Sequence, residues 1–443
     1  MESPYLVDEL VIRGGRVLVV PHRRFRSKYL REDFFVDYEA GVSLEELDHS
    51  ILVIPFLLNV LPLIWIAGDT YRIRSLDAEL AFALEDVRKA FQRLYPDSSW
   101  DGEVIPDATV VHTPAPGSQD VALLFSGGVD STYSSLVHRK TPQRLITIAS
   151  ALGLGIERDQ EAYASAKTHF RGFSAAFGQR SSFVTSNLCG FISPAKLVRI
   201  WPRPRRWLIE VQHGLGFVGV SAPLMQSMRI RRLLMAGCER DHYGFHSGSH
   251  PDIVGSIRWS GVEVSQDGHD KTRQQKLHTI RVLVSDLGRR PPVLKPCLQP
   301  VGGFENCCVC DKCLQTIMGI LAEGDDPKAY GFETEPQHVL SILRDKFSTC
   351  RVYLPDMGEL MQWHGIQSAI RALVREPGPL PLLLAGDSAD LLWFARLDLV
   401  RYCARYWGGL RGALRKTRRR LGLLLDVWPA FGRVARLLLR PFL

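Results

Sequence analysis

The residues with the most chemical potential are Ser126-Gly127-Gly128-Val129-Asp130-Ser131-Thr132, which follow the apolar run Val121 to Phe125 without a break. Gly127 and Gly128 allow a tight turn at positive φ and let backbone approach an anion closely. With a helix starting just after them, successive N–H groups and the helix dipole converge on a phosphate. Ser126, Ser131 and Thr132 add hydroxyl donors. Asp130 is the odd member, because a carboxylate repels phosphates unless Mg²⁺ lies between them, and magnesium prefers such oxygen ligands. No Gly-Lys-Ser/Thr is present, so this is not a Walker A loop. The bland alternative is a strand-to-helix turn with no ligand.

A second cluster lies downstream. Cys297 is followed by Cys307, Cys310 and Cys313. A Cys-x2-Cys turn presents two thiolates to one ion, the next Cys starts a helix and still reaches it, and Cys297 closes the shell. Four thiolates at about 2.3 Å suit a structural Zn²⁺. An iron–sulfur cluster also takes four thiolates, and a disulfide is disfavoured in a reducing compartment. Cys308 has the poorer spacing and is read as a bystander. Cys189, Cys238, Cys350 and Cys403 are isolated and read as ordinary residues.

The run Ser126-Gly127-Gly128-Val129-Asp130-Ser131 resembles the pyrophosphate-binding motif of the PP-loop (N-type ATP pyrophosphatase) superfamily. With the Cys297, Cys307, Cys310, Cys313 knuckle, the chain is similar to 7-cyano-7-deazaguanine synthase-like proteins. The resemblance covers roughly Val121 to Ile320, less than half of the chain, and rests on these two motifs. It implies a PP-loop/HUP-like fold that binds ATP, cleaves it to AMP and pyrophosphate, and adenylates a carboxylate or amide oxygen. Ammonia or another amine then displaces AMP. It further implies that adenine is cradled after the second strand, between Ala149 and Gln160, where Gly153, Gly155 and Ile156 stand.

Between the motifs, His213-Gly214 precedes a helical segment where substrate or phosphate could meet a helix N-terminus. Gly248-Ser249-His250-Pro251 is a loop fitting the carboxyl end of a sheet, where ligands bind in such folds. Asp270 to Lys276 opens another helix, with Thr272 as its cap. Arg273 and Lys276, three apart, share a face and could neutralise phosphate charge during adenylation. A solvated helix surface is the competing account of both.

These residues need a scaffold. Strand patterns at Val121 to Phe125, Leu145 to Ala149, Arg180 to Thr185 and Arg232 to Ala236 alternate with helical patterns. The helical ones are Ser131 to His138, Asp159 to Phe177, Leu215 to Gln226 and Thr272 to Leu287. This alternation predicts an α/β fold with a doubly wound parallel sheet and helices on both faces. The expected organisation is an N-terminal α+β unit over 1–115, a nucleotide-binding domain over 120–323, and a helical extension over 325–443. Within the first unit, Arg16 to Val20 and Phe34 to Tyr38 read as strands and Leu76 to Tyr95 as a helix. Pro106 to Asp120 reads as a linker. Ile51 to Gly68 is apolar, but Pro55, Asn59 and Pro62 interrupt it, which favours a buried helix over a membrane span.

Composition sets the remaining bounds. Hydrophobic content of 46% and charged content of 23% fit a globular protein. The net charge of +8 is local: Arg401 to Leu443 carries eleven Lys/Arg and one acid, leaving the first 400 residues near neutral. The Leu/Arg/Trp tail suits an anionic membrane surface, with nucleic acid as a rival partner and a helical cap docked on the body as the third reading. No secretory pattern follows Met1-Glu2-Ser3-Pro4, so a cytoplasmic setting is expected, peripheral to the membrane if the tail binds it. Competing functions are a tRNA- or nucleobase-modifying PP-loop enzyme and a non-enzymatic nucleotide-binding scaffold at a membrane.

Overall fold

A computed structural model describes residues 3–39, 41–112, 118, 120–152, 160–238, 246–297, 299–354, 356–375 and 388–407. Within them run eleven strands: β1 (Val7–Arg13), β2 (Arg16–Pro21), β3 (Phe34–Tyr38), β4 (Thr70–Asp77), β5 (Glu103–Val110), β6 (Val121–Leu124), β7 (Gln143–Ile148), β8 (Arg180–Ser186), β9 (Arg232–Ala236), β10 (Arg258–Trp259) and β11 (Val262–Asp267). The longer helices are α1 (Ile54–Ala67), α2 (Ala78–Leu94), α3 (Val129–Val137), α4 (Gln160–Ala176), α5 (His213–Ser227), α6 (Arg273–Asp286), α7 (Asp311–Ala322), α8 (Pro336–Ser348), α9 (Met357–Leu373), α10 (Ser388–Arg396) and α11 (Leu399–Trp407).

Nine strands form one mixed sheet in the order β1-β2-β3-β8-β7-β6-β9-β11-β10. Its centre, β8-β7-β6-β9-β11, is parallel throughout, whereas β10 and β1 to β3 join antiparallel. The protein is therefore α/β, as the alternating pattern predicts. Period-two alternation gives each central strand two apolar faces. Ala122, Ile146, Val184 and Leu233 pack in the cluster that contains α1 and α5. Leu123, Leu145, Phe183 and Leu234 pack against Phe170 and Phe173 of α4.

Strands β1 to β3 of the N-terminal stretch belong to this sheet, because β3 pairs with β8 through Val36↔Ser186, Asp37↔Thr185 and Tyr38↔Val184. The linker expected from Pro106 begins as strand instead: β5 pairs in parallel with β4, and Pro106 faces Ile73. A proline is tolerated there because β5 is an edge strand whose one neighbour among the described strands is β4, whereas β4 is bridged on its other side by Tyr5. The helix expected from Leu76 starts at Ala78, since Asp77 caps it by accepting from the Leu80 N–H.

The apolar segment Ile51 to Gly68 is buried and helical, with a break at Val53 between a short turn of helix ending at Leu52 and α1. Asn59, inside α1, donates to the Pro55 carbonyl at 2.8 Å and accepts from Gln212 at 2.6 Å. Among the described residues no helix is long and apolar enough to cross a membrane. The described residues beyond 325 are mostly helical, and α8 to α11 share one core with α6 and α7, built around Leu343, Phe347, Trp363, Phe394 and Tyr402.

Candidate nucleotide and metal site

Strand β6 ends at Leu124 and α3 begins at Val129, so the Ser-Gly-Gly turn lies at the carboxyl edge of the sheet. Gly127 takes φ +71°, and a Cβ there would come within 2.5 Å of the Phe170 ring. Gly128 differs from expectation: its φ is −73°, in extended backbone that any residue adopts. The Ser131 hydroxyl braces the turn by donating to the Gly128 carbonyl at 3.3 Å and accepting from the Ser126 N–H at 3.3 Å. No side chain caps α3, so its first N–H groups, which have no intrahelical acceptor, remain available to a ligand. Thr132 is buried and lines neither cavity beside the loop.

Two cavities flank the loop, and Ser126 and Asp130 wall both. The first, of about 180 Å³, is bounded by Leu124, Ile146, Ile148, Phe217 and Met235, with His213 as its imidazole. The second, of about 190 Å³, is bordered by the cations Arg273, Lys295 and Lys312.

Arg273 and Lys276 come to the loop as their spacing predicts, but with different parts. Helix α6 opens with a capping box between Thr272 and Gln275, which fixes the start of the turn carrying both cations. The Lys276 ammonium lies 2.7 Å from Asp130 Oδ1, and Arg273 Nη2 lies 3.1 Å from Oδ2. Lys276 is wholly buried and also donates to the Gly237 carbonyl. It lines neither cavity, whereas Arg273 faces the second. Burial alone would push the Asp130 carboxyl up, but the two cations more than offset it and hold the group far below the usual range. Each carboxylate oxygen thus meets one cation from α6.

The cysteine cluster sits directly behind this loop. The sulfurs of Cys297, Cys307, Cys310 and Cys313 all lie within 4.8 Å of one another. A tetrahedral ion with bonds of about 2.3 Å needs sulfurs about 3.8 Å apart, so the set could hold one metal ion such as zinc. An iron–sulfur cluster places sulfides and several irons between its thiolates and needs a wider set. Backbone N–H groups of Gln299 and Cys307 point at Cys297 Sγ at 3.3 and 3.4 Å, and that of Cys310 at Cys307 Sγ at 3.3 Å. Cys308, at φ +58°, bonds instead to the Asn306 carbonyl and stays outside the set.

The knuckle also supplies two cations absent from the sequence-based candidates. Lys295 donates its N–H to the Gly127 carbonyl at 2.7 Å, and its ammonium is held by Phe304 O at 2.9 Å and Glu305 at 2.8 Å. Lys312 stands inside the Cys310-x2-Cys313 turn. The available signal was position: each basic residue is within two places of a ligand cysteine.

His213 opens α5 after a π-helical turn, Leu208–Gln212. Burial pulls its pKa down to about 4, and its buried Nδ1 has no hydrogen-bond partner among the described residues. Gly248 serves packing: its carbonyl accepts from the Gly214 N–H, and a Cβ on Gly214 would meet it at 2.2 Å. Ser249 O accepts from Gln266 at the end of β11. Gly153, Gly155 and Ile156, and the tail beyond Trp407, lie outside the described residues. No family model, curated protein or solved structure matches the chain.

Proposed function

We propose that the chain is an ATP-dependent adenylating enzyme with a PP-loop/HUP-like domain. It would cleave ATP to AMP and pyrophosphate and activate a carboxylate or amide oxygen of a small molecule. Ammonia or another amine would then displace AMP, as in 7-cyano-7-deazaguanine synthase-like proteins.

The observation carrying this reading is the uncapped start of α3 facing a cavity bordered by Arg273, Lys295 and Lys312. Helix N–H groups and three cations together suit a polyphosphate better than a single carboxylate. Strand order adds support. In sequence the central parallel strands run third-second-first-fourth-fifth, and the loop follows the first at the point where the order reverses. Ligands of doubly wound sheets bind at such switch points. Lys276 and Arg273 take one lone pair on each Asp130 oxygen, and a quarter of the side chain stays exposed, so Asp130 would still have lone pairs for a Mg²⁺ arriving on the phosphates.

ATP–pyrophosphate exchange with panels of carboxylic acids tests this. Exchange requires Mg²⁺ and one acid, and it is lost in Lys312→Ala; release of ADP in place of AMP would reject adenylation. From the charge of residues 401–443 we further propose contact with an anionic membrane surface. Deleting residues 411–443 abolishes pelleting with phosphatidylglycerol vesicles on this view, and unchanged pelleting rejects it.

A further inference from the structure

The guanidinium of Arg273 is held from three directions. Asp130 of α3 takes Nη2 at 3.1 Å, while Gln315 of α7 and Gln362 of α9 take Nη1 at 3.3 and 2.6 Å. Arg donates only, so both glutamines must turn their carbonyl oxygens to it. That leaves the Gln315 amide nitrogen to donate onward, and it bonds Glu359 of α9. Gln315, Glu359 and Gln362 are all buried.

Their placement follows from the start of α9. Asp356 caps this helix by accepting from the Glu359 N–H at 3.0 Å. Gln362 is three residues beyond Glu359 and shares its face. A continuous hydrogen-bonded chain therefore runs from α9 to the loop, through the buried Glu359 and Gln315 and the partly buried Arg273 and Asp130 to Lys276. Helix α9 lies in the C-terminal extension, outside the stretch that carries the two motifs.

We propose that this extension is part of the anion-binding machinery, with Gln362 and Glu359 as positioning residues that aim Arg273 at a nucleotide's phosphates. An unanchored arginine has many rotamers, and ordering it on binding costs affinity. A pre-set guanidinium avoids that cost, so α9 packing and phosphate binding are coupled. The inference rests on the proposed nucleotide site.

The test uses the full chain, with Mg²⁺-pyrophosphate and Mg²⁺-ATP as probes in calorimetry. Gln362→Leu keeps the volume and removes the acceptor; it lowers affinity for both probes about tenfold, the scale of one hydrogen bond to a charged group. Glu359→Gln acts in the same direction and more weakly. In an Arg273→Ala background, Gln362→Leu has no further effect, because its influence passes through that guanidinium. A general packing defect would instead add to the loss. Unchanged affinity in both single variants, or additive losses in the double variant, overturns the role of α9 and leaves the nucleotide site standing. Failure of the unaltered chain to bind either probe overturns both. Should Gln362→Leu not fold, Gln362→Met takes its place with the same expected loss.

Discussion

The Lys276 ammonium stands 2.7 Å from the Asp130 carboxylate with no part of the lysine side chain exposed. A buried charge pair is costly to break because the remaining ion is left without a counter-charge. Asp130→Ala should therefore lower stability by about 3 kcal/mol, the low end for such a pair, since Asp130 keeps 25% of its side chain exposed. Adding Lys276→Met removes the stranded ammonium and should restore at least half of the loss. Urea unfolding of both variants decides this, and a single variant within about 0.5 kcal/mol of the parent would reject it.

The two loop glycines should respond differently. Gly127→Ala meets both the left-handed backbone at φ +71° and the Phe170 ring, at a combined cost of about 3 kcal/mol. At Gly128 a Cβ would lie 3.6 Å from the Ser126 hydroxyl, an ordinary contact. Gly128→Ala should cost about 1 kcal/mol or less, as a helix N-cap substitution does. Equal losses in the two variants would mean that the turn is not shaped as described.

How far the sequence foretold this depends on the range of each signal. The Val121 to Thr132 strand–loop–helix and the Thr272 cap are local patterns, and both are found where expected. Four cysteines at knuckle spacing fold into a ligand set for the same reason. The join of β3 to β8 is a pairing across about 150 residues, with no local trace. Pro106 looked like a linker residue because a proline argues against a strand unless the partner edge is known. Arg273 and Lys276 share a helix face, but which one reaches a cavity depends on Asp130 and Gly237, far away in sequence. The same holds for Gln315, Glu359 and Gln362, whose importance lies wholly in their partners.

Metal content offers a separate check. The purified protein should carry about one zinc per chain by elemental analysis. Cys313→Ser opens the ligand shell and should lose the metal along with thermal stability, because Cys313 begins the buried face of α7. Cys308→Ser should keep the zinc, since that sulfur bonds Asn306 instead. Loss of metal from both variants would force a different ligand set.

His213 supplies a pH-dependent signature. Burial lowers its folded pKa to about 4, against about 6.5 for an unfolded histidine. Below pH 6.5 the unfolded chain takes up a proton at this residue while the folded chain does not. The neutral imidazole's contribution is therefore fully present above pH 6.5 and is lost as the pH falls toward 4. In that window His213 adds up to about 1.4 kcal/mol per pH unit to the slope of stability against pH. His213→Phe, which fills a similar volume beside Phe217, should flatten the slope between pH 6 and 5 by about that amount and change little above pH 7.5. Unfolding free energies at several pH values measure the difference between the two chains, so other titrating groups cancel. Parallel curves for the parent and His213→Phe would show that the imidazole is hydrated in the folded protein and titrates as it does in the unfolded one.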